Sequence, residues 1–309
     1  MSAQQPVPEA ERTVRTSDGA ALRVAESGPT DGAVTLVLIH GWTQDDRTWD
    51  PVCSELAARF PNVIADVRTL RYDLRGHGGS DPGGAGTATI EQLADDLARV
   101  LRTRVPSGPL VLAGHSMGGM TIMTLAARHP ELVTDRVAGA VFVATACDGM
   151  DHITLGLPGA AGRAASRVAR RLATGLSRTR RERVPLRPAL ALSGARVLVF
   201  GKRPDSGDVA LVARQLMRAN PANLGWFQQS IATHDQRAAL ARLRAIPTAI
   251  LAGERDRLCP LERAETIAAR LPEADYVRFP GAGHMLPQER SSEVAARIVD
   301  VLRRATHDV

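Results

Sequence analysis

Through the first half of the chain, short apolar runs alternate with longer stretches whose apolar positions recur every three or four residues. A continuous apolar run reads as a strand buried on both faces, and the longer period reads as amphipathic helix. Together they predict a mostly parallel sheet covered by helices. Val34–Ile39 (VTLVLI) is the clearest strand and runs into His40-Gly41. Trp49–Phe60 places Val52, Leu56 and Phe60 at helical spacing. Thr69–Asp73 is a second predicted strand, followed by a glycine-rich turn over Arg75–Ser80. Ile90–Arg104 is a predicted helix with Thr89 as N-cap and Leu93, Leu97, Val100 and Leu101 on one face. A strand over Pro109–Ala113, a helix over Met117–His129 stopped by Pro130, and a strand over Val137–Ala144 complete this half.

The alternation then breaks. From about Cys147 to Thr233, glycine and proline interrupt helical pieces, of which Ala161–Leu176 and Val209–Arg218 are the best defined. It resumes with a strand over Pro247–Ala252, a helix over Leu261–Leu271, a strand over Ala274–Phe279 and a helix over Ser291–Arg304. The expected organisation is a disordered polar tail (1–12), a first part of the α/β core (13–146), a helical insertion (147–233) and the rest of the core (234–309).

Composition changes this picture little. Apolar residues at 44% and charged residues at 23% describe an ordinary globular chain. The opening MSAQQPVPEAER lacks the basic and apolar regions of a secretory signal, and no apolar run approaches the roughly 18 residues of a membrane span. The three cysteines, Cys53, Cys147 and Cys259, are widely spaced and odd in number, so reduced thiols in the cytoplasm are expected.

Charge is more informative. The net charge of +6 is concentrated: His152–Arg203 holds twelve bases and one acid, Glu182, a local +11 that leaves the remainder near −5. Such a segment either attracts an anionic partner (an acyl-CoA, an acyl carrier protein, an acidic lipid surface) or is a set of solvated helix faces in an arginine-rich chain. Solvated faces are the expectation. Nucleic-acid binding is not expected, because the basic residues have almost no aromatic residues among them and no binding motif accompanies them.

Candidate chemistry begins at Leu110-Val111-Leu112-Ala113-Gly114-His115-Ser116-Met117-Gly118-Gly119. A predicted strand enters G-x-S-x-G and a predicted helix leaves it. A nucleophilic hydroxyl must stand clear of the backbone, which a sharp strand-to-helix turn achieves, and the flanking glycines let that turn pack closely. The helix aims its first amides at developing negative charge.

Three further motifs follow the same order. These are His40-Gly41-Trp42, then Asp73-Leu74-Arg75-Gly76-His77-Gly78-Gly79-Ser80, and finally the pair Gly253-Glu254-Arg255-Asp256-Arg257-Leu258-Cys259-Pro260 and Gly281-Ala282-Gly283-His284. With them the chain resembles the α/β-hydrolase superfamily over nearly its whole length, in the serine esterase/lipase-like branch with a helical cap. The resemblance implies a mostly parallel twisted sheet flanked by helices.

It also implies Ser116 as nucleophile, His284 as general base and Asp256 as the acid that orients it, in the chain order Ser…Asp…His. Glu254 and Asp148 are rivals for the acid, Asp148 because some members place it after the preceding strand. The other histidines have other readings. His40 and His77 belong to glycine-rich turns that the family uses for loop structure, and the ring of His115 should point away from the nucleophile. His129 ends a helix, His152 and His234 lie in or beside the insertion, and His307 is in the tail.

The backbone amides of Trp42 and Met117 are the expected oxyanion hole. Met150, Leu157, Trp226, Phe227, Leu258 and Met285, with Trp42, are candidates for the acyl pocket, packing being an equally good reading.

Relatives that open epoxides or displace halide carry aspartate where this chain has Ser116, so acyl transfer is expected. The leading expectation is hydrolysis of a small to medium apolar ester or lactone through an acyl-enzyme. A thioesterase, or a tailoring cyclase or lyase, would use the same triad, and a perhydrolase activity could accompany it. A hydrolase-like receptor or scaffold is the alternative of another class. With no metal cluster, dinucleotide fingerprint or phosphate-binding loop in the sequence, no cofactor is expected.

Overall fold

The computed structural model describes residues 10–150, 155–157 and 159–307. His152 and the first nine residues of the expected tail lie outside them. The chain opens with β1 (Ala10–Arg15) and β2 (Ala21–Ser27), an antiparallel pair. Ala10, Glu11 and Arg12, expected in a disordered tail, therefore begin a strand. β3 (Val34–Ile39) is buried along its whole length, and α1 (Asp50–Arg59) and α2 (Pro61–Ile64) lead to β4 (Val67–Tyr72). α3 (Ile90–Arg104) is capped by Thr89, whose side chain accepts the Gln92 amide. β5 (Leu110–His115), α4 (Met117–Arg128), α5 (Pro130–Arg136) and β6 (Val137–Val143) follow. Pro130 stops one helix and, lacking an N–H, opens the next at its first position.

Among the described residues between β6 and β7 are the α-helices α6 (Gly159–Ser177), α7 (Pro188–Leu198), α8 (Ser206–Arg218) and α9 (Pro221–Ala232), followed by a 3-10 turn at Ala239–Leu243. The chain closes with β7 (Thr248–Gly253), α10 (Leu261–Ala268), β8 (Asp275–Phe279), α11 (Leu286–Glu289) and α12 (Ser291–His307).

The eight strands make one sheet in the order β1-β2-β4-β3-β5-β6-β7-β8. β2 pairs antiparallel with both its neighbours; every pairing from β4 to β8 is parallel. Side chains alternate across β3, so Val37 and Ile39 join one core layer with α3 and α4, while Leu36 and Leu38 join the other with α1 and α12. Both faces are thus dry, which explains continuous apolar runs in place of an alternating pattern.

β4 departs from that rule by burying Arg68 and Arg71, neutralised by Glu26 and Asp50 respectively. The parallel strands all end at the same side of the sheet. The loops beyond β3, β5 and β7 carry His40-Gly41-Trp42, Ser116 and Asp256, the crevice where open α/β sheets bind ligands.

Candidate active site

Ser116 occupies the turn between β5 and α4 at φ +53°, a conformation unfavourable for a residue with a Cβ. Its neighbours show why glycine flanks it. A Cβ on Gly114 would meet the backbone of Gly118 and Gly119 at 2.5 Å, and one on Gly118 would collide with the carbonyls of Ile39 and His40. The turn is fastened by the Ser116 amide, which donates to the Val143 carbonyl at 2.9 Å, and by Thr145 Oγ1, which donates to the Ser116 carbonyl at 2.6 Å.

His284 Nε2 lies 2.9 Å from Ser116 Oγ, and its Nδ1 lies 2.7 Å from Asp256 Oδ2. These contacts fix the tautomer: Nδ1 carries the proton and donates to the carboxylate, leaving Nε2 to accept from the hydroxyl. The other oxygen of Asp256 accepts the amides of Leu258 and Cys259, each at 2.8 Å. The His284 loop is held by its own amide, which donates to the Val199 carbonyl at 2.7 Å. Glu289 supports it further, accepting from Gly283 N at 3.0 Å and Gly201 N at 2.8 Å. The arrangement can deprotonate a serine hydroxyl and stabilise the resulting imidazolium.

Gly41 sits against the nucleophile: a Cβ there would lie 3.0 Å from the Ser116 Cβ. The residue after Gly41 is Trp42, and the residue after Ser116 is Met117, the first of α4. The loop's shape comes from two buried histidines. His40 Nε2 accepts the Leu74 amide at 2.9 Å, and His77 Nε2 accepts the Thr43 amide at 3.1 Å. Burial holds the His77 ring neutral, with its pKa pushed down to about 3. Beside them Arg75 is wholly buried between Asp96 at 2.6 Å and Asp18 at 2.9 Å, and Asp73 accepts the amides of Asp46 and Gly79. The Asp73–Ser80 motif is therefore structural, a brace between loops and α3.

A sequence profile of the alpha/beta hydrolase fold matches residues 34–290. The chain belongs to the α/β-hydrolase family. Among curated relatives of this hydrolase, the pimeloyl-[acyl-carrier protein] methyl ester esterase of Aromatoleum aromaticum is 32% identical, the match covering 87% of this chain and 98% of that one. The enzyme of the same name from Nitrosomonas europaea is 28% identical, over 82% and 90%. The enol-lactonase of Burkholderia xenovorans superposes with a TM-score of 0.74 at 24% identity, covering 94% of this chain and all of that one. A thermophilic esterase from Thermogutta terrifontis gives the same score and identity over 96% and 99%. At such identities these structures speak for the hydrolase fold alone.

The rival acids lie elsewhere. Glu254 is exposed, 3.9 Å from Arg278, and Asp148 faces Arg237 at 3.4 Å and Arg263 at 3.7 Å. Of the expected pocket side chains, Phe227 and Met285 are fully enclosed by packing, Phe227 against the His77 ring and Met285 in a cluster with Phe200. Met150 is buried in the core layer shared with α3 and α4. None of these three forms an open pocket wall, because the apolar interior of the insertion packs onto the core. Leu157 is 46% exposed, and Trp42, Trp226 and Leu258 are half-buried.

Two supporting residues escaped the sequence reading. Glu289 is one; Gln44 is the other. Gln44 Oε1 accepts from the Gly41 amide and Thr48 Oγ1, each at 3.2 Å, and lies 3.0 Å from His115 Nδ1. Its Nε2 donates to Met285 Sδ at 3.1 Å. His115 in turn lies 2.9 Å from the His284 carbonyl, its buried ring held well below the usual histidine range. Gln44 thus touches the loops of Gly41, Ser116 and His284 together. The only hint in the sequence was its place two residues after His40-Gly41-Trp42.

Proposed function

We propose that this chain is a serine ester hydrolase that cleaves a small to medium apolar carboxylic ester or lactone through an acyl-enzyme. The observation that carries the reading is the continuous relay Ser116–His284–Asp256, at 2.9 and 2.7 Å, on a strained turn at the end of the sheet. Two relatives named as methyl ester esterases, matched over most of their length, support ester chemistry.

In this reading His284 takes the Ser116 proton as Oγ attacks the acyl carbon. The new oxyanion is held by the amides of Trp42 and Met117. Collapse of the tetrahedral intermediate expels the alcohol, which receives its proton from His284, and leaves the acyl group on Ser116. Water, deprotonated by the same imidazole, then releases the acid. Asp256 stays ionised throughout and stabilises the imidazolium. The helices between β6 and β7 act as a cap over residues 147–233, and Trp42, Trp226 and Leu258 are the side chains that meet the acyl group.

The test is covalent labelling by a fluorophosphonate together with turnover of p-nitrophenyl esters. Ser116→Ala should lose the label and lower kcat by about 10⁴-fold or more. Folded Ser116→Ala protein that still labels and turns over would overturn the reading.

A further inference from the structure

We propose that the outer face of the helical insertion docks on an anionic lipid bilayer, its arginines meeting the phosphates and an adjoining apolar row entering the acyl layer.

The case begins with α6. At 3.6 residues per turn its positions sort into three sides. Gly162, Ala169, Ala173 and Leu176 fall toward α9, against which the helix packs. Arg163, Arg167, Arg170 and Arg171 form the next side. Ala161, Ala164, Val168 and Leu172 form the third, and it faces solvent: Val168 is 55% exposed and Leu172 64%. An ordinary surface helix needs only the first side apolar. A second apolar row, bordered by arginines and turned to water, is the pattern of a helix lying in a membrane interface.

α7 repeats it. Leu190 and Val197, on one side of the helix, are 59% and 57% exposed; Leu192 and Leu198 are exposed on its other sides, with Arg196 on the helix and Arg187 at its N-cap.

The charge fits a bilayer better than a compact partner. Twelve bases and one acid lie between His152 and Arg203, spread over both helices and their connections. α6 alone has 19 residues, about 28 Å of length. A single anionic molecule would be met by a few convergent cations. A leaflet offers phosphates everywhere, and dispersed bases each contribute. A shallow recess of about 330 Å³, lined by Arg167, Arg170, Arg171 and Thr174, is of a size to seat one headgroup. From Leu155 to Val199 there is no Phe, Tyr, Trp or Met. Protein interfaces rely on such anchors, so an acidic protein is the weaker fit. Attachment would be peripheral, because no helix among the described residues is long and apolar enough to cross a membrane.

The face also borders the catalytic loops. Arg257, next to Asp256, donates to the Val197 carbonyl, and its side chain abuts Gly156. Leu157, Val197 and Leu198 therefore stand beside the loop that carries the acid. If the esterase reading holds, a membrane-partitioned ester would be presented close to Ser116; docking itself does not depend on that reading.

The experiment is co-sedimentation of the full chain with phosphatidylcholine vesicles, with or without about one-third phosphatidylglycerol, at low and high salt. Binding to the anionic vesicles alone is expected, weakening as salt rises. Arg163→Gln/Arg167→Gln/Arg171→Gln should lower the partition coefficient about 100-fold, since each base near an anionic leaflet adds about fivefold. Val168→Ser/Leu172→Ser should lower it about tenfold or more while keeping the charge. Both should retain wild-type thermal melting and hydrolysis of a soluble ester. Ser116→Ala should bind as wild type, which separates docking from catalysis. Equal binding to both vesicle types, no binding to either, or undiminished binding by both multiple variants would overturn the proposal. So would tight capture of a purified acidic carrier protein by a chain that ignores vesicles.

Discussion

Asp256 gives one oxygen to two backbone amides and the other to His284, so it is rigid before any substrate arrives. Replacing it with Asn keeps the shape and removes the charge that sets the tautomer. Asp256→Asn should therefore lower kcat by about 10²–10⁴-fold with little change in melting temperature. Glu254→Gln, on the solvent side of the same loop, should leave steady-state rates unchanged. Comparable losses in both variants would contradict the assignment. Gln44 acts at one remove, through the Gly41 amide and the His115 ring. Gln44→Met fills the space but supplies no carbonyl. It should reduce kcat by about 10–100-fold while leaving KM nearly constant, because the loop proposed to hold the oxyanion would matter most when charge develops. A change confined to KM would show that Gln44 shapes the ground-state pocket instead.

At the scale of elements, the sharpest constraint is the crossing of α4 over the end of β3. Gly118→Ala would push a methyl into the carbonyls of Ile39 and His40, which cannot yield without moving the strand. It should cost about 1–3 kcal/mol or more in chemical denaturation. A fully stable variant would mean that the turn is looser than its packing indicates.

That turn was legible in the sequence, because G-x-S-x-G between an apolar run and a helical period has few other uses. The central strands were legible for the same reason: burial on both faces makes them continuous. β1 and β2 were not, since β1 buries only Val14 fully and β2 is a short alternation containing two alanines. β4 was read two residues short at its start, because Arg68 interrupts its apolar pattern and only a distant partner, Glu26, makes its burial affordable. In the insertion, α7 and α9 begin at prolines that read as breaks but serve as first-turn residues. The pocket residues were the least legible. An apolar side chain in the insertion can face a substrate or the core, and Phe227 turned to the core, while Met285, outside the insertion, packs against the apolar side of α7 and α8.

The whole molecule ties the insertion into the loops of Asp45 and His284 by hydrogen bonds as well as packing. Gln215 of α8 donates to Asp45 at 2.6 Å, and Val199, just after α7, receives the His284 amide. Such a body encloses polar groups, and three buried histidines illustrate the cost. His77 is held down to about 3, His234 to about 4, and His115 well below the ordinary value, in each case chiefly by burial. The unfolded chain binds protons at these rings from about pH 6.5 downward, whereas the folded chain does not. Stability is thus fully present above that pH and falls as pH drops toward the folded values. The buried carboxyls of Asp73, Asp96 and Glu289, raised by desolvation, act in the opposite sense at lower pH. A difference measurement cancels them. His234 has a buried Nε2 without a hydrogen-bond partner, so His234→Leu removes one titration and no bond through that nitrogen. Between pH 7.5 and 5, the unfolding free energy of the wild type should fall by about 2 kcal/mol more than that of His234→Leu, one proton over about 1.5 pH units. Urea titrations of both proteins at the two pH values give this number directly. Parallel losses in the two would show that His234 is protonated within the fold, and that the interior beneath α9 is wetter than its packing implies.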